Sequence, residues 1–243
     1  MKHKQSQKND GVKEVKNLLI GLSALIVIAL FYRLGIDKTA AEMEAWKIRA
    51  IEAEKIVETV EKIEEDIKKY QPRMKQEIRF QTAVLIYTGS KVTKVPVNYQ
   101  KANIKVETEF NPFCRGKIYG ERGLHQILGA SFRKYYPGSY WGNQYAEYWA
   151  GMYHLQECYN LAMAIAEEDV IRNAQYIPMR LKGKSLKEVQ LALMLSLHNS
   201  GTGWRNIFKS FTVTQPHIAR SLQQNVYEYL EEPEIEFDRG LSV

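Results

Sequence analysis

An uncharged apolar run, Asn17–Tyr32, constrains this chain more than any other segment. Inside a bilayer such a run has to be helical, because its backbone polar groups find no water to bond to. As a helix it is about 24 Å long, somewhat shorter than the roughly 30 Å hydrocarbon core. Lys16 and Arg33 flank it, and long basic side chains snorkel to the interface. Residues 18–35 are therefore predicted to form one transmembrane helix.

The polar segment at residues 1–17 is rich in lysine and has no apolar periodicity. Because positively charged flanks stay in the cytoplasm, we expect this tail to be cytoplasmic and everything after residue 35 to lie across the membrane. A cleaved signal peptide is the alternative. The nearest small residues for a cleavage site, around Thr39–Ala41, lie too far from the apolar run. The sequence therefore favours an uncleaved anchor.

Residues 36–72 are rich in Glu, Lys, Ala and Ile and are predicted to form a helical stalk. Apolar side chains recur at steps of three and four, with one slip, at Trp46, Ala50, Ala53, Val57, Val60, Ile63, Ile67 and Tyr70. This seam is typical of a coiled coil, so one interpretation is homo-oligomerisation through residues 40–70. The other is a single amphipathic helix that packs on its own domain. Gln71-Pro72 ends the segment, because proline interrupts helices.

Residues 73–232 are predicted to form one domain, followed by an acidic tail at residues 233–243. Apolar residues make up 45% of the chain, enough for a packed core. The net charge of +6 suits an anionic polymer or a membrane as partner. Because no run of five or more basic residues occurs, we expect no nucleic-acid site. The histidines show no metal-binding spacing, and we expect no metal and no cofactor.

The apolar pattern predicts a mainly α domain. Tyr99, Ala102 and Val106 recur at helical spacing and indicate a helix that ends at Glu107, since Asn111-Pro112 disfavours its continuation. Other helices are predicted at residues 78–87, where Thr88-Gly89-Ser90 ends the helix, and at 150–166, 187–197 and 216–230, with an extended segment at 92–97. The Gly-Leu-His-Gln segment after Gly120-Glu121-Arg122 is predicted to begin a further helix. The aromatic-rich segment 131–149 has no assigned role.

Glu107 is the first candidate for chemistry. A carboxyl group at the end of a helix can lie against apolar side chains in a cleft wall. Burial there raises its pKa and keeps a proton on it near neutrality, as a general acid requires. The two cysteines, Cys114 and Cys158, are too far apart for a CxxC motif, and the spacing fits a disulfide and two free thiols equally well.

Three motifs carry a family resemblance. Glu107-Thr108-Glu109-Phe110-Asn111-Pro112 resembles the motif Glu-Ser-x-Phe-Asn-Pro, and residues 120–126 resemble Gly-x-x-Gly-Leu-x-Gln. His198-Asn199-Ser200-Gly201 resembles Tyr-Asn-Ala-Gly. In this order they resemble the soluble lytic transglycosylase family of the lysozyme-like superfamily, over about residues 75–230. The resemblance implies a lysozyme-like fold.

The resemblance also implies an activity. The family cleaves the β-1,4 bond between MurNAc and GlcNAc in peptidoglycan, and its single catalytic glutamate corresponds to Glu107. That residue first protonates the glycosidic oxygen and then accepts the proton of the MurNAc 6-hydroxyl, which closes a 1,6-anhydro ring. The N-acetyl group of the substrate supplies the nucleophile, so no second carboxylate is needed.

The same resemblance implies the substrate-binding residues, which are Thr108, His125, Gln126, Tyr153, His198 and Asn199. Thr108 replaces the family serine, and Gln126 and Asn199 match the family residues. His125 replaces an apolar residue and His198 a tyrosine, which puts two titratable rings at these positions. Relatives carry a late Glu-Thr-x-x-Tyr-Val motif, and residues 218–222 do not match it.

The expected protein is thus a single-pass membrane protein with a periplasmic or virion-associated catalytic domain. Its expected partners are peptidoglycan and the bilayer, and its role is local wall opening in phage entry, conjugation, secretion or remodelling. One alternative is a hydrolytic muramidase with a second carboxylate such as Glu121 or Asp169. The other is a non-catalytic, peptidoglycan-binding component of a virion or secretion channel.

Overall fold

A computed structural model describes residues 40–116, 119–139 and 142–232, with side chains from residue 46 onward. Three predicted segments lie outside the described residues, namely 1–17, 18–35 and 233–243. Within the described part of the chain, no helix combines the length and the apolar character that a membrane crossing requires.

Helices make up most of the described residues, and no β-strand occurs among them. The α-helices are α1 Ala40–Tyr70, α2 Gln76–Thr93, α3 Val97–Thr108, α4 Gly129–Tyr135, α5 Gln144–Met163, α6 Glu167–Arg172, α7 Leu186–Ser200, α8 Ser210–Val213 and α9 Gln215–Gln223. Short 3-10 helices lie at Met179–Leu181, Ile207–Lys209 and Val226–Glu231. The predicted mainly α class is therefore confirmed.

The chain divides into two units, one up to Lys55 and one from Ile56 onward, so α1 contributes to both. In the first unit Trp46 and Ile51 are exposed. In the second unit the side chains of Ile63 and Ile67 are buried in the core. The final part of the predicted stalk thus packs on its own domain, and homo-oligomerisation through residues 40–70 stays a prediction.

Two contacts tie the end of α1 to α3 and to the residues directly after it. The ring of Tyr70 stacks on Phe110 with centroids 5.7 Å apart. Lys101, whose side chain is almost fully buried, lies 2.6 Å from a carboxylate oxygen of Asp66. A buried cation needs such a partner, because an isolated charge is costly to remove from water. Both contacts hold α3, and with it Glu107, against α1.

Helix α2 does not end at Thr88-Gly89-Ser90, as predicted, but continues to Thr93. Gly89 is buried against the ring of Tyr148, and a Cβ at this position would clash with the phenol. The glycine therefore permits close helix packing and does not terminate the helix. The predicted extended segment at 92–97 is wrong as well, because only Lys94–Pro96 separate α2 from α3.

Helix α7 lies at the centre of the second unit. Every residue from Val189 to His198 is buried, and a helix that is buried on all sides needs apolar residues all round. Ser185 caps its first turn in a reciprocal arrangement with Glu188. The predicted helix at 187–197 is confirmed, and it delivers His198 and Asn199 to the end of a rigid element.

Two further predictions need correction. The predicted helix near residues 123–126 is a turn, closed by a bridge between Arg122 and Ile127. Gly123 and Gln126 both have positive φ, which an α-helix cannot accommodate. The predicted helix at 216–230 breaks after Gln223, and a 3-10 helix follows Asn225, whose φ is 52°.

Candidate functional site

A cleft of about 720 Å³ opens where the ends of α3 and α7 meet the start of α9. Its lining residues are Glu107, Gly116, Tyr119, Glu121, Gln126, Ile127, Leu128, Ser131, His154, His198, Asn199, Val213, Thr214, Pro216, His217 and Arg220. Each of the three sequence motifs contributes to it. Glu107 comes from the first motif, Gln126 from the second, and His198 and Asn199 from the third.

Glu107 lies in the last turn of α3, and its side chain is only 8% exposed. Two imidazole rings approach the same carboxylate oxygen. His198 Nδ1 lies 3.5 Å from Glu107 Oε1, and His217 Nε2 lies 3.4 Å from it. At these distances Oε1 makes no hydrogen bond within the described residues. The carboxylate is thus almost inaccessible to solvent and is surrounded by basic side chains.

The pKa of Glu107 lies below its usual value, which contradicts the upward shift predicted from burial. Burial is the largest influence and raises the pKa. The contact from His198 and the positive charges of His217, His198 and Arg220 lower it by more in total. The prediction failed because it considered only the apolar surroundings. The folded chain brings three basic groups to this carboxylate, and opposite charges favour its ionised form.

His217 and Arg220 are functional candidates that sequence reasoning missed. They lie three residues apart on α9, so both side chains are on one face of the helix. The sequence did contain a signal for them. Pro216 marks the start of a helix, because proline is favoured in the first turn, and the three-residue spacing after it predicts that both side chains share one face. They occupy the region in which the late family motif was sought and not found.

Gln126 shapes the loop that faces α3. Its backbone has a φ of 46°, and its side-chain amide donates hydrogen bonds to the carbonyl oxygens of Gly123, at 2.9 Å, and Cys114, at 3.2 Å. The amide nitrogen therefore stabilises the turn, while the residue also lines the cleft. Both hydrogen bonds of this nitrogen are therefore made within the loop.

Thr108 does not line the cleft. Its side chain is buried, and its hydroxyl lies 3.1 Å from the carbonyl oxygen of Ile104 and 3.2 Å from that of Leu124. The second contact joins the first motif to the second. Thr108 thus holds the loop against α3, and the predicted contact between Thr108 and a substrate does not fit its position.

Thr108→Val is expected to lower the free energy of unfolding by about 1 kcal/mol, because it removes one buried hydrogen bond at nearly constant shape. Thr108→Ser keeps the hydroxyl and serves as the control. Urea unfolding followed by circular dichroism measures both. A loss in Thr108→Ser as large as that in Thr108→Val would show that the methyl group, not the hydroxyl, matters.

His125 lies behind the cleft wall and is almost fully buried. Its Nδ1 is 2.6 Å from Asn103 Oδ1, and its ring centroid is 6.2 Å from that of His198. Burial and the neighbouring histidines hold its pKa well below the usual value. The ring therefore stays neutral near pH 7, so the predicted substrate contact and titratable group at this position do not fit the structure.

Tyr153 is also outside the cleft. Its ring lies between those of Tyr135 and Trp149, with centroid distances of 6.0 and 6.1 Å. Tyr135 borders a small second core of Ile127, Phe132, Ala146 and Ala150, whereas Trp149 and Tyr153 belong to the main core. The described part of the aromatic segment 131–149 thus packs α4 against α5. Tyr153 contributes to this packing, and the structure does not bring it to Glu107.

His154 gives the fold a specific sensitivity to acid. Burial, with a smaller contribution from the charge of His198, lowers the pKa of His154 from 6.5 to about 4. The unfolded chain binds this proton near pH 6.5. The stability associated with neutral His154 is therefore present above pH 6.5 and is lost as the pH falls toward 4.

His154→Gln should flatten this loss, so that wild type and variant differ by roughly 2–3 kcal/mol in their change between pH 7 and pH 4. Urea unfolding at the two pH values measures the difference. His125 also destabilises both proteins in acid, and its electrostatic coupling to His154 is part of the measured difference. Parallel stability curves for the two proteins would contradict the assignment to His154.

The cysteines are both free thiols. Cys158 is buried in α5, and burial raises the pKa of its thiol. Cys114 is partly exposed, and burial also raises its pKa. Of the two alternatives that the spacing left open, the structure shows the unpaired one.

No protein-family model, curated protein or solved structure matches this chain. The three motifs and the geometry of the cleft are the features of this chain that bear on its function. Among the described residues, no three His, Cys, Asp or Glu side chains are placed to hold a metal ion.

Proposed function

We propose that this chain is a membrane-anchored lytic transglycosylase with a lysozyme-like domain. It cleaves the β-1,4 bond between MurNAc and GlcNAc and leaves 1,6-anhydroMurNAc ends. One observation carries the proposal: three motifs that are far apart in sequence place Glu107, Gln126 and Asn199 in a single cleft. A shared cleft with a buried carboxylate is the expected arrangement for acid–base chemistry on a bound polymer.

In the proposed reaction Glu107 donates a proton to the glycosidic oxygen as the bond from this oxygen to C1 of MurNAc breaks. The N-acetyl oxygen of the same sugar attacks C1. The 6-hydroxyl oxygen then displaces it, and the Glu107 carboxylate accepts the hydroxyl proton. The carboxyl group ends in its starting state, so one carboxylate serves as acid and then as base. The exposed Asn199 is available to bind the acetamido group.

A second candidate function is hydrolysis, and one observation favours it. Glu121 lines the same cleft as Glu107, and a second carboxylate can activate a water molecule. Asp169, the other candidate, is ruled out by its position, because it caps the first turn of α6 and lies 3.6 Å from Arg172. The chain would then be a muramidase with reducing-end products.

The test is digestion of purified peptidoglycan by the full chain, with the products identified by mass spectrometry. Anhydro-muropeptides are the expected result. Reducing-end muropeptides would overturn the lyase reaction in favour of hydrolysis. Binding without release would overturn both and leave the non-catalytic component of a virion or secretion channel.

The anchor and the stalk complete the proposal. A membrane helix at residues 18–35 would hold the cleft in the periplasm, close to the bilayer and to the wall. Oligomerisation through residues 40–70 would place several clefts side by side. Such an arrangement suits local opening of the wall during phage entry, conjugation, secretion or remodelling.

A further inference from the structure

His217 faces Glu107 across the floor of the cleft. It lies in the first turn of α9, directly after Pro216, and its side chain is 8% exposed. Its Nε2 is 3.4 Å from Glu107 Oε1. Neither atom has a hydrogen-bond partner among the described residues. Two buried polar atoms that face each other in this way are costly unless a proton or a ligand joins them.

The other charged groups in this cleft are Glu121, on the loop after α3, and two basic residues on helices. His198 on α7 approaches the same carboxylate oxygen at 3.5 Å, and Arg220 lies one turn further along α9 in the same cleft. Burial, with the charges of Arg220 and His198, lowers the pKa of His217 below its usual value, although the Glu107 carboxylate acts in the opposite direction. Because Glu107 and His217 are this close, protonation of one affects protonation of the other.

We propose that His217 is the proton-holding partner of Glu107, which loads the carboxyl group before bond cleavage and takes the proton back afterwards. This inference rests on the proposed function. In the catalytically active protonation state, one proton is on His217 Nε2 and Glu107 is ionised. Transfer to Oε1 gives neutral imidazole and a carboxylic acid, which protonates the glycosidic oxygen. The 6-hydroxyl proton then passes to Glu107 and back to His217, so that no proton is gained or lost.

This arrangement explains how an ionised carboxylate can act as an acid. The basic groups around Glu107 stabilise its anion in the empty cleft. A neighbouring proton donor is therefore needed at the start of each cycle. His217 has an unpartnered nitrogen 3.4 Å from that oxygen, so a small closure of this distance gives a hydrogen bond. His217 acts through Glu107 and is thus a positioning residue for the proton.

The first test needs no activity. In the full chain with ¹³C-labelled histidine, the His217 ring is titrated by NMR in wild type and in Glu107→Gln. Removal of the carboxylate should lower the pKa of His217, because the carboxylate is the group that favours its protonated form. His3, which lies outside the described residues, is the internal reference. An unchanged His217 titration would overturn the coupling and with it the proposal.

The second test compares His217→Gln with wild type on peptidoglycan. Glutamine keeps a hydrogen-bond donor at a similar position but does not titrate. We expect kcat at pH 7 to fall by about tenfold or more with KM unchanged, and the alkaline limb of the pH profile to move to lower pH. The limb moves because the cluster has lost one of its proton-binding sites. Added imidazole should partly restore His217→Ala.

The outcomes separate the two proposals. Wild-type kcat and pH profile in His217→Gln would overturn this inference and leave the proposed function intact. A wild-type chain that releases no muropeptide would overturn the proposed function and this catalytic role together, whatever the NMR titration shows. If a His217 variant does not fold, as judged by circular dichroism, the NMR coupling in Glu107→Gln decides.

Discussion

Glu107→Gln is expected to lower the release of anhydro-muropeptides by at least about 100-fold, because general acid–base catalysis contributes on the order of 10²–10⁴ in rate. The amide has the same shape as the carboxyl group but neither donates nor accepts the catalytic proton. The initial rate of product formation, followed by mass spectrometry of soluble muropeptides, measures the effect.

Glu109→Gln is the matched control. It makes the same chemical change two residues further along, at an exposed residue that ends α3 with a φ of 51°. Its side chain contacts only the amide of Gln224 among the described hydrogen bonds, at 3.3 Å. This variant should keep wild-type activity. If Glu107→Gln stayed active, or if both variants lost activity equally, the assignment of Glu107 would be wrong.

Ile67→Ala is expected to destabilise the second unit by about 2–5 kcal/mol, the usual loss for a large aliphatic side chain in a core. Ile67 is fully buried near the end of α1. The variant therefore tests whether this part of the predicted stalk is an integral part of the second unit. Urea unfolding of the full chain, followed by the far-ultraviolet circular dichroism, measures the change.

Val57→Ala provides the comparison on the same helix. Val57 is 46% exposed, so its truncation should change the free energy of unfolding by no more than about 0.5 kcal/mol. Similar small losses for both variants would show that the end of α1 contributes little to the core. A large loss for Val57→Ala alone would instead indicate a covered seam, as in a coiled coil.

The spacing of apolar residues correctly predicted the helices in which that spacing is regular. The steps of three and four in α1, the apolar run in α7 and the proline after α3 are properties of neighbouring residues, so the sequence shows them directly. The sequence did not reveal the turn at Gly123–Gln126. Its left-handed residues and its bridge between Arg122 and Ile127 depend on how the loop folds, which short-range patterns do not record. Gly89 was misinterpreted because its packing partner, Tyr148, is distant in sequence.

The candidate site divides in the same way. The motifs by themselves singled out Glu107, Gln126, His198 and Asn199, and the side chains of this set do line one cleft. The motif resemblance predicts Thr108, His125 and Tyr153 as substrate-binding residues too, but these three do not line the cleft. The direction in which a side chain points depends on local φ values and on packing, which a linear motif does not record.

The uncharged run at Asn17–Tyr32 and the helical character of the described residues were determined by the sequence alone, because each depends on residue type and short-range spacing. The resemblance of the first motif singled out Glu107. Only the tertiary structure decided the electrostatics of the site. His217 and Arg220 are more than 100 positions from Glu107 in the chain. Electrostatic interaction depends on distance in space, and folding brings these groups together around the buried carboxylate of Glu107.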